Sequence, residues 1–92
     1  MTSTLWAKDH QMIDVLGSSS KGQFVAIEEY GYKSQTHTYY VTVKIVNVWT
    51  KQYVGENFNV ELPAHRPAYL EKARSEAKKL ATEELKRFNI SV

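Results

Sequence analysis

The sequence predicts an α+β domain in the order α-β-β-β-α: a three-stranded antiparallel sheet with a long C-terminal helix and an N-terminal helix on one face. Two stretches carry most of this. Residues 38–50 are β-branched or aromatic at almost every position and contain neither proline nor glycine, which suits a half-buried pleated strand. After Pro67, the residues Leu70, Ala73, Ala77, Leu80, Ala81, Leu85 and Phe88 recur at three- and four-residue steps, the period of a helix with one buried stripe. At 92 residues the chain forms a single domain over residues 1–92.

Residues 2–16 are read as a short amphipathic helix. Leu5, Asp9, Met12, Ile13 and Leu16 follow approximate helical spacing, Ser3 or Thr4 can cap the start, and Gly17 can end it. The competing reading makes residues 12–16 a strand, joined through Ser18, Ser19 and Ser20 to the next one as a hairpin. Trp6 anchors the segment in either case. Residues 17–22 (GSSSKG) form a loop. Residues 24–30 alternate as the first strand, with Phe24 and Ala26 opposite Val25 and Ile27, and residues 31–37 make a polar, aromatic loop. In the second strand Tyr39, Val41, Val43 and Ile45 line one face, while Tyr40, Thr42 and Lys44 line the other. A turn around residues 49–52 leads into a third strand, residues 53–62, with Phe58, Val60 and Leu62 on one side. Short links between consecutive strands give an antiparallel meander. Pro67 suits the first turn of the final helix, and residues 89–92 are read as its exit and a loose tail.

Composition removes several classes of function. With 42% hydrophobic and 24% charged residues, the chain is an ordinary globular domain and not a disordered segment. The absence of cysteine excludes disulfides, zinc ribbons, iron–sulfur sites and thiol catalysis. No apolar run approaches the roughly 20 residues that span a bilayer. The N-terminus has no basic start followed by an apolar stretch, so a cytoplasmic location is expected. His10, His37 and His65 fall in separate segments without an i, i+4 pair, so neither a metal nor another cofactor is implied. Glu28 with Glu29, and Glu83 with Glu84, read as exposed acids and not as a general acid and base. The expectation is a non-enzymatic protein.

The net charge is +2, but it is unevenly placed: from Pro63 onward seven Lys and Arg stand against four Glu, a local net of +3. Any basic face therefore belongs to the last helix. Lys72, Arg74, Lys78, Lys79 and Lys86 can form a strip for phosphate oxygens. The alternative is a solvated helix face on which Glu71, Glu76 and Glu83 are spaced to pair with those lysines. Tyr30, Tyr32, Tyr39 and Tyr40 cluster around one loop, and alternation leaves Tyr32 and Tyr40 as the surface candidates for stacking on bases or anchoring a protein. The outward row with Tyr40, Val46 and Val48 is more apolar than solvation alone requires.

The predicted element order and the residues TYYVTVKI of the second strand, with Gly55-Glu56 in the third, resemble the double-stranded-RNA-binding domain. The helix sequence Arg74-Ser75-Glu76-Ala77-Lys78, followed by Leu80-Ala81 and Leu85, is similar to that family's basic motif, with Ser75 in place of its middle lysine. In the family's loop motif Gly31 is retained, Tyr32 takes the proline position and Ser34 the histidine position, with His37 three residues later. The resemblance implies a module that engages structured RNA or a ribonucleoprotein. Arg74, Lys78 and Lys79 would hold phosphates, with Lys72 nearby and Lys33, Ser34 and His37 as loop contacts. In format the chain also resembles small phage-encoded anti-CRISPR inhibitors of bacterial defence. That likeness implies a protein partner met through Tyr32, Tyr40, Glu28 and Glu29.

Overall fold

The computed structural model describes residues 11–92. Five strands and one helix follow in the order β1 (Gln11–Ser19), β2 (Phe24–Lys33), β3 (Thr38–Asn47), β4 (Gln52–Pro63), α1 (Ala68–Arg87) and β5 (Ile90–Ser91). The strands form one antiparallel sheet, ordered β4-β3-β2-β1-β5 and curled into a half-barrel, with α1 on one face. The molecule measures 41 × 31 × 16 Å, and its thin dimension holds one sheet and one helix.

The three-stranded α-β-β-β-α expectation is thereby corrected. From Gln11 onward the predicted N-terminal helix is strand β1, paired with β2 from Gln11 opposite Gly31 to Ser18 opposite Val25; residues 2–10, with Trp6 and His10, lie outside the described residues. The cause of the misreading is arithmetic. Met12 and Leu16 are four apart, an even spacing that satisfies both a helical stripe and one face of a strand. Gly17, the expected terminator, is inside the strand, just after a bulge at Leu16 where the register shifts. The expected loose tail is also structured: Ile90 is 7% exposed, and β5 pairs with Ser18 and Ser19 of β1.

The core lies between α1 and the middle of the sheet. Val41, Val43 and Ile45 of β3 are fully buried with Ala26 of β2, against Ala73, Ala77 and Ala81 of α1. Alanine has no side chain beyond Cβ, so the helix can approach this row closely. Each buried Val or Ile contributes about 1.5 to 3 kcal/mol. Leu80, expected in the stripe, is 56% exposed instead. Pro67 stands at the N-cap without a side-chain cap, and the N–H groups of Tyr69 and Leu70 donate to the carbonyls of Arg66 and Pro67. Glu71 in the first turn and Lys86 and Arg87 in the last complement the helix dipole. Asn89, at φ 58°, turns the chain out of the helix toward β5.

A second bulge shapes the opposite edge. Val43 pairs with Phe58 but Ile45 pairs with Val54, so Gly55, Glu56 and Asn57 share the space beside Lys44 alone. Two extra residues bend β4 strongly, and Gly55 takes φ 70°, where a side chain would be strained.

Candidate binding surfaces

The charged groups first expected at the surface form two internal ties between helix and sheet. In the first, Arg74 of α1 donates from Nε to Oε2 of Glu28 at 3.1 Å and from Nη2 to Oε1 at 2.9 Å. The same Nη2 reaches Oδ2 of Asp14 at 3.1 Å, and the Tyr30 hydroxyl donates to that oxygen at 3.0 Å. The guanidinium lies 4.1 Å from the centroid of the Tyr30 ring. Glu28 is completely buried, a position tolerable for a carboxylate only with a paired, hydrogen-bonding partner. The hydrogen bonds to Glu28 raise the Arg74 pKa despite partial desolvation. The hydrogen bond to Asp14 raises that of Tyr30.

The second tie uses Glu84, 8% exposed. Its carboxylate accepts Nε and Nη2 of Arg87 at 2.9 and 3.1 Å, and its Oε2 accepts the backbone N–H of Glu56, in the β4 bulge, at 2.8 Å. The Arg87 hydrogen bond, then that from Glu56, hold the Glu84 pKa below the ordinary carboxylate value. Asp14 and Glu84 were missed as structural acids, and Glu28 and Glu84 were read as exposed. Alternation could have found Glu28, since it shares the face of Ala26.

The remaining candidate residues do not converge on one site. Lys78 and Lys79 line a groove of about 490 Å³ between α1 and the β5 end of the molecule, with Glu71, Ser75, Thr82, Lys86 and the apolar Leu85 and Ile90. Lys72 lies elsewhere, in a cleft with Leu62, Pro63, His65 and Tyr69. Lys33 is 2.6 Å from Glu61 and 5.5 Å from the Tyr40 ring centroid. His37, at φ 55°, shares a 2.8 Å hydrogen bond with the Tyr32 hydroxyl, and Tyr32 meets Tyr39 edge-on at 6.1 Å. Ser34 is half-buried in the same turn. Glu29 pairs with Lys44 at 3.0 Å.

The face of the sheet opposite α1 presents a different surface, and no described element covers it. The register aligns Val15 beside Ile27, and Val25 beside Val46 and Tyr53, with Ile13 one step away along β1. Ile13, Val15 and Tyr53 are 59, 68 and 58% exposed, and Trp49 in the adjoining turn is 63% exposed. Lys44 lies 5.1 Å from the Tyr53 ring centroid, and the Thr42 hydroxyl donates to Oδ1 of Asn59 at 2.7 Å, giving the patch a polar margin. The sequence signal for it was present: alternation in residues 24–27 and 45–48 leaves apolar side chains on both faces.

Among the described residues no group of three or more His, Asp or Glu side chains is placed to hold a metal ion, and no helix is long and apolar enough to cross a membrane. No protein-family model, curated protein or solved structure matches the chain.

Proposed function

We propose that this domain is a non-enzymatic binding module that acts by docking on a partner protein through the open face of its sheet. The observation that carries this is the apolar patch of Ile13, Val15, Val25, Ile27, Val46 and Tyr53, next to Trp49. Exposed apolar surface rimmed by polar groups is characteristic of protein contacts, and Trp and Tyr are the side chains that most often anchor them. A domain of this type works by occupancy, covering a surface of its partner, as the small inhibitors it resembles in format do. The RNA-binding reading has support of its own in Lys78 and Lys79, which line the groove and pair with no described carboxylate. It is weakened because Arg74, one of its phosphate contacts, and Lys33, one of its loop contacts, are engaged with carboxylates, and because Lys72 lies in a separate cleft.

The experiment compares the immobilised domain with its Trp49→Ala/Tyr53→Ala and Lys78→Ala/Lys79→Ala variants in capture from a bacterial lysate, with and without ribonuclease. The expected result is a protein retained at about 0.5 M salt, where surface charges are screened, insensitive to ribonuclease and lost only from the Trp49/Tyr53 variant. Retention abolished by ribonuclease and by the lysine substitutions would overturn the protein reading in favour of RNA. A fluorescent RNA duplex of about 20 base pairs, enough for the ~16 that a duplex-binding domain spans, gives the same distinction directly.

A further inference from the structure

The two edges of the sheet are treated differently. At one edge β4 carries the Gly55–Asn57 bulge and the charged Glu56 and Glu61, features that blunt an edge against pairing. At the other edge β5 pairs with β1 at Ser18 and Ser19, the backbone of Ser91 and Val92 lies against Gly17, and no described residue pairs with residues 11–16 on that side. This part of β1 has no proline, a single charge and three strongly exposed apolar side chains, Met12, Ile13 and Val15. Such an edge is a ready template for another strand.

The lysine-lined groove lies on the helix side of this edge. Asp14 of β1 touches Arg74, one of the groove residues, while Leu85 and Ile90 form its apolar end near β5. Arg74 faces two carboxylates, Glu28 and Asp14, so that cluster keeps one net negative charge. Away from it the groove's charge is set by Lys78, Lys79 and Lys86 against Glu71, and Lys86 also has Glu83 at 3.7 Å.

We infer that residues 11–16 of β1 and the adjoining groove receive an extended acidic segment of a partner protein, which joins the sheet as a strand in line with β5. β5 shows that a strand fits between β1 and the end of α1, antiparallel to β1. Six residues at about 3.3 Å each span the free edge. Alternate side chains of the added strand enter the groove, where carboxylates meet Lys78 and Lys79 and the hydroxyl of Ser75. The intervening side chains flank Ile13 and Val15 on the open face, where β-branched residues fit. The pattern recognised is thus acidic and β-branched in alternation. This rests on the proposed class of partner, a protein, but uses an edge and a groove that the Trp49/Tyr53 variant leaves intact.

The test is a titration of the isotope-labelled domain with the blocked peptide Glu-Val-Glu-Val-Glu-Val, and with Lys-Val-Lys-Val-Lys-Val as control, followed by amide NMR shifts and hydrogen exchange. Expected are shifts at residues 11–16 and at Lys78 and Lys79, slower exchange along β1 with the acidic peptide, and no response to the lysine peptide. Lys78→Glu/Lys79→Glu should weaken acidic-peptide binding roughly tenfold or more while the variant keeps its own β-sheet spectrum. Shifts at the lysines without slower exchange in β1 would reduce the contact to simple ion pairing and overturn strand addition. Absence of binding, or equal binding of both peptides, would overturn the proposal outright. The lysate capture by the open face would stand or fall independently.

Discussion

Arg74 grips the completely buried carboxylate of Glu28 with two hydrogen bonds, at 3.1 and 2.9 Å. The pair fastens α1 to β2, and through Asp14 to β1 as well. Because α1 otherwise lies chiefly over β3 and β4, this tie holds the far half of the sheet to the helix. It also engages with carboxylates one of the side chains expected to hold phosphates.

Arg74→Ala is therefore expected to destabilise the domain by about 3 kcal/mol, since it leaves Glu28 buried without a counter-charge. Removing both charges in Arg74→Met/Glu28→Leu should recover much of that loss. Urea unfolding of Arg74→Met, Glu28→Leu and the double variant checks it, and additive losses would show that the pair is not coupled.

Gly55→Ala should be worse than Gly22→Ala. Both glycines have positive φ, 70° and 74°, so each substitution carries a backbone penalty of about 1 to 2 kcal/mol. At Gly22 the new Cβ meets nothing within 4 Å, whereas at Gly55 it would collide with Oε2 of Glu84. A free glutamate would swing aside, but Glu84 is held by Arg87 and the Glu56 N–H. The difference in thermal midpoint between the two variants measures that steric part.

The sequence and the structure agree where a single period dominates. β3 and β4 were legible because Val41, Val43 and Ile45, and Phe58, Val60 and Leu62, alternate without interruption, and α1 because its alanines recur at helical steps. β1 was obscured because Met12 and Leu16 satisfy two periods at once and because a bulge places Gly17 inside the strand. β5 is too short for any period to register, and its formation depends on β1 being a strand at all. Among candidate site residues, charge singles out Lys78 and Lys79 without indicating the groove they line, and it could not reveal that Arg74 is engaged by Glu28 and Asp14, 46 and 60 positions away. Such ties follow from the sheet register, which composition does not specify.

Acid should loosen the β4 end of the helix. Glu84 has a folded pKa lowered first by Arg87 and then by the Glu56 N–H. Its contribution is therefore fully present above the ordinary carboxylate pKa, and it is lost as pH falls through the lower folded value. Glu84→Gln cannot ionise, so its stability should fall less steeply between about pH 5 and pH 2 than that of the parent domain. Urea midpoints across this range give the comparison, and parallel acid limbs would exclude Glu84 as a source of the pH dependence.

The lysines of the groove should behave in the opposite way to Arg74. Lys78 and Lys79 are exposed, and neither pairs with a described carboxylate, so no buried charge is orphaned when they are removed. Alanine is also the better helix former at both positions. Lys78→Ala/Lys79→Ala is accordingly expected to leave stability within about 0.5 kcal/mol of the parent, while Arg74→Ala does not. This contrast decides how a binding loss is read: in the lysine variant it reports on the groove, and in Arg74→Ala it reports on a sheet that has come away from its helix. Urea unfolding of both variants, run beside the acidic-peptide titration, separates these cases, and a lysine variant as unstable as Arg74→Ala would show that the groove lysines belong to the fold.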